Sequence, residues 1–346
     1  MNRMLMRIGF ILCLWVLLGS CERRPLVEYG GRVKIRVILN VKEIPNVTAG
    51  IYNDKVVPSL TKPGTFRVIF YDQDTKQSAS QAFISRKGVD ENGYDYYEGY
   101  VFVNPGTYDL LCYNFDTPST LVREENDKNT IEAFTSVVSE QLYSRFNTRA
   151  DGPSPTIYYE PDHLFVARED GITVHETDEI VTITTQASTI IDTYYVQVRL
   201  VNGKYASNAV AMLTDLAPSN RFGIGEPKYD EYAGTYFEMY RSVDIRQRTE
   251  QDVLCAVFNT FGKRPDHIDP TVESQLYLSF SILTSDGKAV EMSLDMDSIF
   301  QTVDARERHW LLIDKEIVLP KPEEGGFQPT VDGWDEEVGE IEIGNN

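Results

Sequence analysis

Alternation with a period of two is the feature of this chain that most restricts its fold. Tyr194, Val196, Val198 and Leu200 alternate with Tyr195, Gln197 and Arg199, and Leu276, Leu278, Phe280 and Ile282 alternate with Tyr277, Ser279 and Ser281. Val290, Met292, Leu294 and Met296 interleave with Glu291, Ser293 and Asp295; near the start, Val33, Ile35, Val37 and Leu39 interleave with Lys34 and Arg36. Successive side chains of a strand point to opposite faces, so each run reads as a half-buried strand rather than a helix. Turn signals punctuate the chain at Asn92-Gly93, Asn104-Pro105-Gly106, Asn202-Gly203 and Asp286-Gly287. Further strands are predicted at Phe66 to Tyr71, Tyr97 to Val103 and Thr107 to Phe115. In the last of these, Tyr108, Leu110 and Cys112 share one face and Leu111, Tyr113 and Phe115 the other, which predicts a central strand covered on both sides. Short strands at this spacing predict an all-β chain with minor helix, arranged as β-sandwiches.

One helix is predicted after the charged loop Arg123 to Lys128, capped by Asn129 with Glu132 three residues on, and with Ile131, Phe134, Val138 and Leu142 on one face. A loop with proline and glycine, Ala150 to Pro155, follows, and then Thr156 to Ala167. A boundary is therefore expected near residue 170, with an N-terminal sandwich over 32–170 and a C-terminal one over 171–346. The last segment, Glu323 to Asn346, holds eight acids and no lysine or arginine. Trp334, Val338, Ile341 and Ile343 in it would let it dock as a terminal strand, so they are a candidate strand-donor segment.

The N-terminus fixes an expected location. Arg3 and Arg7 precede an apolar run from Ile8 to Leu18, which has signal-peptide length and is too short to span a bilayer. Leu18-Gly19-Ser20-Cys21 resembles the bacterial lipobox, in which the cysteine becomes the acylated N-terminus; the alternative is an ordinary secretory signal with Cys21 incidental. Residues 1–20 then read as the signal and 21–31 as a tether. Cleavage removes two arginines and no acid, moving the formal charge from -20 to -22. Such an acidic surface repels phosphate backbones, so no nucleic-acid partner is expected. Of four cysteines, Cys13 leaves with the signal and Cys21 would carry lipid. Cys112 and Cys255 sit in apolar strand-like runs and are expected as buried free thiols, the alternative being a disulfide.

The residues also carry a family resemblance. Gly106-Thr107-Tyr108-Asp109-Leu110-Leu111-Cys112-Tyr113-Asn114 resembles a glycine, tyrosine and asparagine pattern in the first domain of the Bacteroidetes fimbrillin superfamily, the type V pilus subunits and their relatives. Pro161-Asp162-His163-Leu164-Phe165-Val166-Ala167 is similar to the segment that leads into their second domain. Leu213-Thr214-Asp215-Leu216-Ala217-Pro218-Ser219, Gly223-Ile224-Gly225-Glu226, Gly325-Gly326-Phe327 and Gly333-Trp334-Asp335 resemble an uncharacterised Bacteroides lipoprotein family of unknown function related to the fimbrillins. The resemblance implies two tandem transthyretin-like β-sandwiches on an outer-membrane lipoprotein. It further implies a setting in pilus assembly or adhesion, with other pilus subunits or a host surface as partners and strand addition as the mode of contact. The familiar processing arginine in a loop after the first strand has no clear counterpart; Arg67 and Arg86 are the nearest candidates. That favours an anchor, tip or accessory protein over a stalk subunit. The residues after Cys21, Glu22-Arg23-Arg24, lack the acidic run of many surface-exported relatives.

Motifs of catalysis are missing: there is no GxSxG, Walker A, HExxH, GxGxxG or CxxC. His163, His175, His267 and His309 never fall at metal-ligand spacing and read as surface or edge-strand residues. No enzyme activity, cofactor or metal is therefore expected. Asp90-Glu91-Asn92-Gly93-Tyr94-Asp95 has oxygen ligands around a glycine but lacks full calcium-loop spacing, so it reads as a hairpin turn. Asn46-Val47-Thr48 matches the glycosylation acceptor and carries little weight in a bacterium. Tyr94, Tyr96, Tyr97, Tyr100 and Tyr229, Tyr232, Tyr236, Tyr240 form two clusters. Tyr94, Tyr96, Tyr97, Tyr229 and Tyr232 are a candidate glycan surface, against the alternative that strand aromatics fill cores. Two readings of function result: an outer-membrane-anchored, fimbrillin-like pilus anchor, accessory or adhesin subunit, or a surface glycan-binding lipoprotein of a polysaccharide-uptake system.

Overall fold

A computed structural model describes residues 31–39, 60–143, 154–177, 179–242, 253–265 and 275–322. The expected signal, Cys21, most of the tether, Asn46, His267 and the segment from Trp334 to Ile343 lie outside the described residues.

The described residues form an all-β structure. Its first eight-stranded sheet runs in the order β3-β2-β6-β10-β11-β1-β5-β4. These strands are β1 (Gly31–Leu39), β2 (Phe66–Asp72), β3 (Ser78–Ile84), β4 (Arg86–Val89), β5 (Asp95–Val103) and β6 (Gly106–Asn114), with β10 (Phe165–Val174) and β11 (Val181–Thr189). Only two residue pairs, Phe165 with Thr189 and Val166 with Ser188, join β10 to β11. The sheet folds over at that seam, so β3-β2-β6-β10 faces β11-β1-β5-β4 as a sandwich. Between them lie Val33, Ile35, Val37 and Leu39 of β1, Val68 and Phe70 of β2, Tyr97, Val101 and Val103 of β5, and Leu110 and Cys112 of β6. The alternation read from β1 is thus the inward face of a core strand.

A second sheet is ordered β19-β18-β13-β16-β17-β12-β20. It comprises β12 (Asp192–Val201), β13 (Ala206–Thr214), β16 (Ala233–Ser242), β17 (Val253–Thr260), β18 (Tyr277–Thr284), β19 (Ala289–Asp295) and β20 (Trp310–Val318), while β9 (Thr156–Tyr159) adds in parallel to β16. β16 makes the fold-over, pairing with β13 through Met239 and with β17 from Tyr240. The alternating residues of β12 and β18 meet in its core with Phe237, Phe258, Phe300 and Leu311. Two short helices, Asp297–Phe300 and Val303–Arg308, close one end.

A small sheet, β15-β14-β8-β7, lies between the two. It consists of β7 (Leu121–Arg123), β8 (Glu132–Phe134), β14 (Ser219–Arg221) and β15 (Glu226–Lys228). The helix predicted from Asn129 to Leu142 is largely replaced by this strand, and only Glu140–Tyr143 is helical. Local chemistry explains the difference. Asp127 closes a turn by accepting from the N–H groups of Asn129 and Ile131. Ala133 then pairs with Val122 on one side and Asn220 on the other, and a tertiary ladder outweighs the weak helix propensity of a Thr-, Ser- and Val-rich run.

The boundary expected at residue 170 falls inside β10, and the passage to the second sheet comes after Thr189. Conversely β9, expected in the first unit, belongs to the second sheet. β6 is covered on both faces as predicted. Leu110 and Cys112 enter the sandwich core, while Leu111 and Tyr113 join Ile69, Tyr71, Ile131, Ala217, Phe222 and Phe261 in a core shared with the other half of the chain. Phe115, just beyond β6, is exposed. Cys112 and Cys255 are buried free thiols in different cores.

Candidate interaction site

β1 is the first described element and begins ten residues after Cys21. It lies inside the sheet, antiparallel to β5 in a ladder running from Gly31–Val103 to Ile38–Tyr96, and parallel to β11 from Val33–Val181 to Leu39–Ala187. A parallel neighbour requires a long crossover, and here the partner strand lies about 150 residues away in the chain. Outward from the core, Glu98 is buried beneath Lys34 at 2.9 Å, Arg36 at 3.0 Å and Arg86 at 3.5 Å. The bonds from Lys34 and Arg36 hold its carboxyl below the usual range.

Beside the shared core, polar side chains stitch the two sandwiches together. The segment Pro161 to Phe165, singled out in the sequence as an approach to the second unit, is their meeting point. Asn114 accepts from the Phe165 N–H at 2.6 Å and donates to the His163 carbonyl at 3.2 Å. Asp162 accepts from the N–H groups of Ser119 and Thr120. From the second sheet, Asn259 donates to the Pro161 carbonyl at 2.9 Å and its N–H bonds Glu160 at 3.1 Å. Burial pushes the Glu160 carboxyl up to about 7, reinforced by the negative charges of Asp162 and Glu238 and opposed by the Asn259 N–H. His163 contacts Thr189 and Thr193, and His309 contacts the Thr193 carbonyl at 3.1 Å while stacking on Tyr194. Both histidines are therefore half-buried packing groups; His309 leads into the edge strand β20, as one of the two expected placements had it, and His163 lies between the sandwiches rather than at the surface.

Two buried carboxylates fix the small sheet and the loop before it. Asp109 accepts from Lys76 at 2.8 Å, Lys128 at 2.9 Å and the Gly171 N–H at 3.1 Å. Glu132 binds Arg123 at 2.8 Å, Lys228 at 3.3 Å and the Ser219 hydroxyl. Burial opposes the charge of each, but these donors hold both carboxyls below the ordinary range. Sequence reading missed both hubs, although an acid inside the apolar run Tyr108 to Tyr113 was a readable signal.

The candidate glycan tyrosines do not converge on one surface. Tyr97 is 1 % exposed, packs on Phe66 and donates to the Pro63 carbonyl, so it is a core residue. Tyr94 and Tyr96 are half-buried, with Arg36 over the Tyr96 ring. Tyr229 and Tyr232 lie far along the chain beside the second sheet, their hydroxyls bound to the carbonyls of Lys263 and Gln275. Asp90 accepts from the N–H groups of Asn92 and Tyr94, making the hairpin turn that was expected there. Arg67 and Arg86 lie within strands β2 and β4, not in loops. Among the described residues no cluster of metal-ligating side chains occurs, and no helix is long and apolar enough to cross a membrane.

Comparison with known proteins gives matches over most of the chain. A protein of Bacteroides ovatus named "Putative fimbrium anchoring subunit Fim4B" is 22% identical, the match covering 95% of this chain and 96% of that protein. The crystal structure of a "putative adhesin" from Bacteroides ovatus has a TM-score of 0.56 at 21% identity, covering 88% of this chain and 98% of the other, and so shares its fold. The fimbrial anchor protein Mfa2 from Porphyromonas gingivalis is similar at a TM-score of 0.46 and 14% identity, over 83% of this chain and 90% of that one. The profile of DUF5119, a domain of unknown function, matches residues 20–238. The chain belongs to the DUF5119 family.

Proposed function

We propose that this protein is a lipid-tethered anchoring or accessory subunit of a surface fimbrium, joined to its neighbours by protein contact that includes strand addition. The observation that carries this reading is the similarity to a protein named as a putative fimbrium anchoring subunit, which extends over 95% of this chain and 96% of that one. On this reading residues 1–20 are the signal, Cys21 carries the acyl chains, and two sandwiches follow, the first closing at Thr189. At roughly 0.8 kcal/mol per buried CH₂, two or three long chains make the attachment effectively permanent.

The position of β1 supports a load-bearing role. Tension applied at Cys21 enters the fold through a strand paired on both sides, so the ladders to β5 and β11 are loaded together along their length. Val33, Ile35, Val37 and Leu39 are at most 2 % exposed, and their burial contributes on the order of 10 kcal/mol against withdrawal of the strand. At the other end β20 is an edge strand among the described residues, pairing in parallel with β12 on one side, and the acidic segment with Trp334, Val338, Ile341 and Ile343 follows it in the sequence. Strand addition there would satisfy backbone groups that an edge leaves open.

Intact cells producing the tagged protein provide the test, by fatty-acid labelling, external protease and co-purification of fimbrial subunits. The expected results are labelling that disappears in Cys21→Ala, proteolysis from outside, and loss of fimbrial partners on truncation after Glu324 with the first sandwich still folded. Labelling without Cys21, or partners retained by the truncated chain, would refute the tether or the strand-addition part respectively.

A further inference from the structure

The two outer faces of the first sandwich differ in kind. That of β3-β2-β6-β10 is covered where Ile69, Tyr71, Leu111 and Tyr113 enter the shared core, and only toward its β3 edge do Phe83 and Phe115 stay exposed around Arg67. That of β11-β1-β5-β4 presents exposed polar, cationic and aromatic side chains. On β1 the outward residues are Arg32, Lys34 and Arg36; in register beside them on β5 stand Phe102, Tyr100 and Glu98. Arg86 of β4 lies opposite Glu98 from the other side. Three cations thus contact a single carboxylate, with Arg32 as a fourth cation farther along the same face, in a chain whose formal net charge is -20.

The surplus charge is accessible. Arg86 is 78% exposed along its side chain and only 3.5 Å from an acid already held more closely by Lys34 and Arg36. Arg32 stacks its guanidinium on the Tyr100 ring at 3.8 Å and meets no carboxylate among the described residues. Phe102 is 69% exposed and Tyr100 39%. Along the neighbouring strand, exposed Thr182 and Thr184 lie beside Lys34 and Arg36. Gly88 leaves the space that the Tyr96 ring occupies, since a Cβ there would overlap it. Across the face, the rings of β5 therefore stand between the cations of β1 and Arg86 of β4, and the threonine hydroxyls of β11 lie beyond the cations of β1.

We propose that this face binds an anionic polysaccharide built of uronic acid units. Guanidinium groups meet carboxylates through paired N–H bonds, a match that ammonium groups do not reproduce. The C–H faces of sugar rings pack on the exposed Phe102 ring, Tyr100 holds the Arg32 guanidinium in place beside it, and the threonine hydroxyls exchange hydrogen bonds with sugar hydroxyls. A polypeptide partner would call for a desolvated apolar centre, whereas here the outward rings lie on one strand, are divided by Glu98 and are lined by charged residues. The overall negative charge does not prevent binding, because at physiological ionic strength fields decay over about 8 Å and the nearby cations dominate. This inference is independent of the fimbrial reading and concerns a different surface from the segment after β20.

The test is retention of the purified full chain on immobilised polygalacturonate, with dextran as the neutral control and poly-glutamate as an acidic polypeptide. Retention on polygalacturonate alone is expected, weakened about tenfold in the double variant Arg32→Gln/Arg86→Gln, as for loss of two exposed charge pairs. Phe102→Ala should weaken it as well. All three residues are exposed, so unchanged unfolding curves will certify the variants as folded. No retention on polygalacturonate, equal retention of the double variant, or stronger retention on poly-glutamate would overturn the proposal, the last by assigning the face to an acidic polypeptide.

Discussion

Replacing Asp109 by alanine is the most informative single perturbation of this fold. The residue is 1 % exposed, and its carboxylate gathers Lys76, Lys128 and the Gly171 N–H from three separate segments. Removing one partner of a buried ion pair costs about 3 to 5 kcal/mol when the other charge is left alone. Here Lys128 keeps Asp170, which lowers the cost, and Lys76 is one-third exposed and can turn to water. The Gly171 N–H loses its acceptor, which adds about 1 kcal/mol or more. The net expectation is a loss of about 3 kcal/mol, read by urea unfolding at pH 7. Asp109→Ala combined with Lys128→Met should lose clearly less than the sum of the single variants, because the second change removes the poorly compensated ammonium. The pH dependence carries a definite sign. The folded carboxyl titrates below its ordinary value, so its contribution is complete above about pH 4 and disappears as pH falls through the folded pKa. The wild-type curve should therefore fall more steeply below pH 4 than that of Asp109→Ala. A loss under 1 kcal/mol, or strict additivity of the two changes, would refute the reasoning.

Gly223→Ala should destabilise by about 3 kcal/mol in thermal unfolding, because the added methyl would overlap the Lys128 carbonyl oxygen and press on Ile131 at 2.5 Å; a neutral result would contradict that close approach. Glu160 has its folded pKa raised from 4.5 to about 7, so the folded state holds the extra proton in that window and stability falls as pH rises from about 4.5 to 7. Glu160→Gln should remove this limb, and an unaltered pH profile would show that Glu160 is not its source. Burial pushes the Cys255 thiol up to about 11 and the Cys112 thiol higher still. In a chain starting at Glu22, neither should react with an aromatic disulfide reagent until the protein unfolds, and fast reaction of either in the native state would place it at the surface.

Much of the strand content was legible because burial on one face imposes a period of two, as in β1, β12 and β18. Strands lacking that contrast escaped. β3, Ser78–Ile84, buries only Ile84 and lies at a sheet edge, while β11, Val181–Thr189, is rich in threonine and hides only Thr185 and Ala187 completely. The helix predicted from Asn129 followed apolar spacing that the neighbouring strand β14 overrode. Among the site residues, Asp109 stood inside a recognisable pattern, but its cations at Lys76 and Lys128 come from loops whose meeting no spacing in the sequence encodes. Tyr97 illustrates the reverse limit: it was grouped with surface tyrosines because alternation shows that two faces differ, not which of them is inside.

The sequence by itself determined the all-β class, the covered central strand β6 and the turns at Asn92-Gly93 and Asp286-Gly287. Each depends on neighbours within a few residues, where backbone geometry and side-chain alternation act directly. Only the tertiary structure decided that β1 lies beside β11, that β9 crosses to the second sheet, and that the first sandwich continues to Thr189. These are pairings between distant strands whose isolated edges offer the same backbone groups to many partners. The choice among them is made by the simultaneous closure of the two sandwich cores and the one between them, and by buried hubs such as Asp109 that hold their charges only when all the donors arrive together.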